Sequence, residues 1–211
     1  MPPSLPEPMP AQAPIVPPDG DTTTALDLAE VYRRARALAA PGQCITALHL
    51  GPEHCVLATG QGPAQPSAQL TLALGQQKTA RAFFRGAVPT PLELETAIAS
   101  VEDEVYAAHV RHRQWVPEGA SAQLYSTDPA LHEIATLAGI SPGPARVLPL
   151  EAMERLFNRL AAVAQGRPAA HEGLPASPAF AASLLVLREL MHHMPFAEIT
   201  MLDLQWLLSM R

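Results

Sequence analysis

Imidazole, carboxylate and hydroxyl groups gather at two short segments of the chain, His49-Leu50-Gly51-Pro52-Glu53-His54 and Ser126-Thr127-Asp128-Pro129. The first offers two histidines and a glutamate, side-chain types that ligate zinc or a similar ion. Residues at a strand end and across a tight turn point in different directions, so His49, Glu53 and His54 read as solvated turn residues and no metal site is assigned. The second offers Ser126 and Asp128 with His132 four residues further on, from which a hydrolytic triad can be written. No Gly-x-Ser-x-Gly elbow exposes the serine, and a triad is defined by geometry, so no catalytic residue is assigned either. Two other clusters have plain readings. His192-His193 complements the dipole at a helix end. Arg111-His112-Arg113, with Trp115 nearby, closes an acidic helix as a solvated end, although an aromatic beside arginines also suits a protein contact.

The elements that position these groups follow from periodicity and stop signals. Proline is concentrated in residues 1–20, where little apolar material offsets the entropy of ordering, so a disordered Pro-rich tail is expected there and one domain over 21–211. Leu28, Val31, Ala35 and Leu38 recur at helical spacing until Pro41-Gly42, which predicts a helix over about 22–40. Strand-like segments follow at 44–50, 54–59 and 68–74, separated by Gly/Pro-rich turns, and read as an antiparallel meander. With its first turn at Pro52, that meander sets Cys44 opposite Gly60 and Cys55 opposite His49, so the two cysteines stay semi-buried thiols that do not meet. A short helix over 76–84 precedes a strong start signal: Thr90 as N-cap, Pro91 at the first helical position and Glu93 closing a capping box. Leu94, Ile98, Val101 and Val105 form the inward stripe of that helix. A strand at 122–126 and helices at 129–138, 150–165 and 178–193 come next. The last of these is apolar around most of its circumference and belongs at the centre. A strand at 198–202 and a helix at 203–210 end the chain. The order predicts an α/β, ribonuclease-H-like mixed five-stranded sheet with helices on both faces.

Composition limits the functions open to this scaffold. The 211 residues are 48% hydrophobic, enough for a real core, and the net charge of −6 denies the chain the broad positive field that captures nucleic acid or anionic lipid. No apolar run approaches the roughly 20 residues that a membrane helix needs, and the first residues lack the basic and apolar regions of a secretion signal, so the expected location is cytoplasmic.

Five stretches carry a resemblance. They are His49-Leu50-Gly51-Pro52-Glu53-His54-Cys55-Val56, then Leu74-Gly75, then Pro89-Thr90-Pro91-Leu92-Glu93-Leu94-Glu95, followed later by Glu172-Gly173-Leu174-Pro175 and the buried 178–193 helix. Over about residues 43–210 the chain resembles the C-terminal actin-like domain of the exopolyphosphatase/guanosine pentaphosphate phosphatase (Ppx/GppA) family. The resemblance implies an actin-like fold and a phosphate cradle at the two turns. It implies a cleft whose other wall is a further actin-like domain, for which the residues before 43 leave no room. It also shows where this chain departs. Where the family has a glycine-rich Asp-x-Gly-Gly-Gly-Ser-Thr-Glu loop, Pro52 removes an N–H and Glu53 adds negative charge; His49 and Val56 stand at its acidic positions. Where the family has a second glycine-rich loop, Ser126-Thr127-Asp128-Pro129-Ala130 brings a carboxylate and a proline.

The residues expected at a vestigial ligand pocket are therefore His49, Gly51, Glu53, His54, Ser126, Thr127 and Asp128, with no cofactor. The expected role is that of a catalytically inactive domain acting through protein association, as a homo-oligomer or with another partner, or through ligand sensing. The alternative is a phosphohydrolase acting on polyphosphate or guanosine pentaphosphate, which would need magnesium and would draw on Lys78, Arg81 and Thr127.

Overall fold

The computed structural model describes residues 22–203 and Trp206. The Pro-rich tail at 1–20 lies outside the described residues, as does the terminal helix expected at 203–210 apart from Asp203 and Trp206. In chain order the elements are α1 (Thr22–Leu38), β1 (Ile45–Leu50), β2 (Cys55–Gly60), β3 (Ala68–Leu72), α2 (Gln76–Phe83), α3 (Pro91–His112), β4 (Gln123–Ser126), α4 (Pro129–Leu137), β5 (Ala145–Pro149), α5 (Leu150–Ala164), α6 (Ala169–Glu172), α7 (Pro178–His193) and β6 (Glu198–Leu202).

The strands form one mixed sheet in the order β3-β2-β1-β4-β6-β5. The β1–β2–β3 meander is antiparallel, β4 and β6 join it in parallel, and β5 returns antiparallel to β6 at the edge. The sheet thus has six strands where the sequence predicts five. The added strand, Ala145-Arg146-Val147-Leu148-Pro149, hides its character because its inward residues are an arginine and a leucine between prolines. Arg146 is buried because its guanidinium reaches the end of α4, donating to the carbonyls of His132 (3.1 Å) and Ile140 (2.5 Å) and to the Thr136 hydroxyl (3.0 Å). That contact is tertiary and leaves no local pattern.

One face of the sheet is covered by α1, whose Leu28, Val31, Tyr32 and Ala35 pack on Ile45, Ala47, Ala58 and Tyr125. On the other face α7 lies centrally among α2, α3 and α5. Every residue from Phe180 to Leu187 is buried, as its all-round apolar sequence predicts. Ser177 caps its start by accepting from the Phe180 N–H.

The β1–β2 register is one residue away from the expected one. Ile45 pairs with Gly60 and Leu50 with Cys55, because a four-residue turn is closed by the Gly51 N–H donating to the His54 carbonyl at 2.9 Å. Cys55 therefore faces Leu50 rather than His49, and Cys44 lies just before the first strand. Both thiols are free and fully buried rather than semi-buried.

The Arg111-His112-Arg113 group is also not uniformly solvated. His112 is buried beneath α3, its ring hydrogen-bonded to Thr46 Oγ1 (3.0 Å), which in turn meets Thr59 Oγ1 (2.9 Å). Burial, with His109 adding a smaller effect, pushes its pKa down to about 4. Among the described residues no helix is long and apolar enough to cross a membrane.

Candidate functional site

Two turns at the same end of the sheet come together. Parallel pairing of β1 with β4 places the residues after Leu50 beside those after Ser126. In folds of this kind, ligands sit where strands end and helices begin, because the backbone N–H groups there lack partners. Here the amides of Leu50, Gly51, Gln76, Gln77, Lys78 and Asp128 already have partners within the protein.

The Asp128 carboxylate is the centre of the arrangement. Its Oδ2 accepts from the Leu50 N–H at 2.7 Å and from Ser126 Oγ at 3.1 Å. Its Oδ1 accepts from His49 Nδ1 at 2.8 Å. The Ser126 hydroxyl in turn accepts from the Asp128 N–H at 3.2 Å. A carboxylate held by a backbone amide, an imidazole and a hydroxyl has the hydrogen bonds that a phosphate oxygen would seek. Asp128 is buried, and its charge, after the larger effect of burial, helps to hold the Cys55 thiol protonated.

The N-terminus of α2 is closed by the other turn. The Gln76 N–H donates to the Gly51 carbonyl, and those of Gln77 and Lys78 both donate to the Pro52 carbonyl, each at 3.0 Å. The turn lies so close that a Cβ on Gly75 would be 2.3 Å from the Pro52 carbonyl oxygen and 2.4 Å from the Glu53 carbonyl carbon. Leu74-Gly75 is visible in the sequence as a strand-to-helix junction; the reason a glycine is needed there is visible only in three dimensions. Glu53 turns away and meets Arg81 at 2.8 Å on the surface.

The structure thus brings His49, Gly51, Ser126 and Asp128 together and leaves the other expected residues apart. Glu53 pairs outward, the His54 side chain is exposed, and Thr127 is half-buried beside the cluster. His132 reaches the Leu202 carbonyl (3.3 Å) rather than Ser126, which removes the paper triad. Ser126 itself is fully buried.

A cleft of about 430 Å³ opens over this cluster, lined by His49, Gly51, Pro52, Gln76, Asp128 and Glu133 among others. It continues past Gln76 and Glu133 into a smaller recess of about 120 Å³ that reaches Ser177 and Phe180 at the start of α7. Gln76 and Glu133 carry no motif, and the sequence does not point to them. Asp128 and Glu133 are the acidic residues of the lining, and neither lysine nor arginine lines the space.

Magnesium does not fit these residues. The Asp128 oxygens are committed to three donors, Glu53 is paired with Arg81, and the described residues hold no group of three or more histidine, cysteine or carboxylate ligands that could bind a metal.

A mixed α/β sheet with its helices and turns arranged in this way defines the actin-like class of fold. Within that class the chain has the fold of Ppx/GppA structures. It superposes on the Aquifex aeolicus Ppx/GppA family member with a TM-score of 0.65 at 12% identity, over 84% of this chain and 58% of that one. A second structure, of the Aquifex aeolicus PPX-GPPA enzyme, gives 0.63 at 12% identity over 82% and 57%. An exopolyphosphatase from Cytophaga hutchinsonii gives 0.62 at 14% identity over 84% and 59%. The chain therefore spans less than three fifths of the length of these structures. No protein-family model and no curated protein matches the sequence.

Proposed function

We propose that this chain is a Ppx/GppA-like domain that does not cleave phosphoanhydrides and acts through association with a protein partner. The observation that supports this reading is that the amides of Leu50, Gly51, Gln76, Gln77, Lys78 and Asp128 each donate to an atom of the protein itself. Phosphoryl transfer depends on donors and cations aimed at the charge of the transferring group. A phosphate entering this cleft would meet two carboxylates, each worth about 4 kcal/mol of repulsion at contact distance near a protein surface.

Full-length chain incubated with polyphosphate and magnesium is expected to release no phosphate above the buffer rate. Release that disappears in Asp128→Ala or His49→Ala would overturn the reading in favour of a phosphohydrolase.

A second reading, ligand sensing, draws on the cleft of about 430 Å³. Its negative lining suits a cationic or neutral ligand, and a ligand that binds only the folded state raises the melting temperature. Spermidine is expected to do so and pyrophosphate is not. The reverse order would reject this assignment.

A further inference from the structure

The recess beside the cleft differs in character from the space over Asp128. It lies where three helices begin: Gln76 opens α2, Ala130 and Glu133 stand in the first turns of α4, and Ala179, Phe180 and Ser183 in those of α7. Pro175, Ala179 and Phe180 give it an apolar lining, while Gln76, Ala130 and Glu133 border both the recess and the cleft.

The start of a helix is its positive end, and three of them together would suit an anion if their N–H groups were open. They are largely closed. Carbonyls of Gly51 and Pro52 cover α2, α4 begins beside the Asp128 carboxylate, and in α7 Ser177 Oγ accepts from the Phe180 N–H. Both α4 and α7 have a proline, which carries no N–H, at their first positions.

Two acceptors remain to meet a ligand. Glu133 is exposed and makes no ion pair or hydrogen bond among the described residues. Gln76 Oε1 has one long contact, 3.5 Å from Ser183 Oγ, whose better bond goes to the Ala179 carbonyl at 2.9 Å. The group that donates to a carboxylate and an amide oxygen at once is an ammonium, with three N–H donors and a charge opposite to that of Glu133.

Volume limits the rest of the ligand. The recess measures about 120 Å³. An apolar cavity of about 150 Å³ holds a benzene ring, so the recess takes one phenyl group or a short branched chain. A ring placed there meets the ring of Phe180, a contact that adds to the gain from burial.

We infer that the cleft and the recess together bind a primary ammonium carrying one small apolar group, with the ammonium at Glu133 and Gln76 and the apolar group beside Phe180. Asp128 is not its counter-ion, because its oxygens already accept from His49, Leu50 and Ser126. This inference deepens the ligand-sensing reading and rests on it; it narrows the ligand from any cation to an amphipathic monoamine.

Calorimetric titration of the full chain with 2-phenylethylamine, 2-phenylethanol and spermidine tests it. The amine is expected to bind about tenfold or more tighter than the alcohol, which has the same ring and no charge. Glu133→Gln, at an exposed position, is expected to remove most of that difference and to leave the alcohol unchanged. Ala179→Leu, which puts a larger side chain into the recess, is expected to weaken the amine by about tenfold or more and to spare spermidine, with the circular dichroism unaltered. Equal affinities for amine and alcohol reject the ammonium site, a comparison that needs no variant. Amine binding unchanged by Ala179→Leu rejects the recess. Spermidine binding without 2-phenylethylamine binding rejects the inference and keeps the ligand-sensing reading, whereas binding of neither rejects both.

Discussion

Helices α2 and α3 are neighbours, and the protein closes the first turn of each, but by opposite means. At α3 the closure is local. Thr90 Oγ1 accepts from the Glu93 N–H at 3.3 Å while Glu93 Oε2 accepts from the Thr90 N–H at 2.8 Å, and that second bond is the main reason the Glu93 carboxyl is held below its usual range. At α2 the residue before the helix is Gly75, which has no side chain to cap with, and the acceptors are the carbonyls of Gly51 and Pro52 from the β1–β2 turn. The first is a four-residue motif that any solvated helix can use. The second occupies the amides of a helix end, groups that could otherwise meet an anion, with carbonyls of a packed turn.

The contrast can be broken most severely at Gly75. A methyl group there meets backbone atoms at 2.3–2.5 Å, which no rotamer change relieves, so Gly75→Ala should destabilise the domain by about 3 kcal/mol or more in urea titration. An equal loss from Gly86→Ala, where the nearest atom is 3.3 Å away, would show that the effect is generic.

The far end of α3 sharpens the same contrast, since His112 depends on Thr46, a partner 66 residues distant. Held near 4 when folded against 6.5 when free, His112 takes up a proton more readily in the unfolded chain. Its contribution is thus complete above pH 6.5 and disappears as the pH falls towards 4, a difference of about 3 kcal/mol. His112→Gln should flatten the stability profile over that interval; an unchanged slope would assign the acid sensitivity elsewhere.

At the locally closed end the effect is smaller. Thr90→Ala should cost about 1 kcal/mol, and Thr90→Ser should retain most of it. Smallest is the Glu53–Arg81 pair, both of whose side chains are about half exposed. Arg81→Ala should change stability by no more than about 0.5 kcal/mol, and a larger loss would mean that this pair, rather than the carbonyls of the turn, holds the turn on α2.

How much of this was legible follows the same division. The sequence predicts α7 and β6 at their observed limits, because helix periodicity, the Ser177-Pro178 start and a short β-branched run are local properties. It also identifies both turns as the place where His49 and Asp128 come to lie. It does not predict β5, whose buried Arg146 is explained only by carbonyls on α4, nor the β1–β2 register, which a single hydrogen bond across the turn decides.

At the candidate site the individual residues His49 and Asp128 stand out by type, but their 2.8 Å pairing, 79 positions apart, does not. What the sequence determined by itself was most of the elements and the residue types at the two turns, since propensity and capping act within a few residues. What only the tertiary structure decided was where each amide would find its acceptor. A backbone N–H has no identity in the sequence beyond its position, and its partner is chosen by the packing of strands and turns that are distant along the chain.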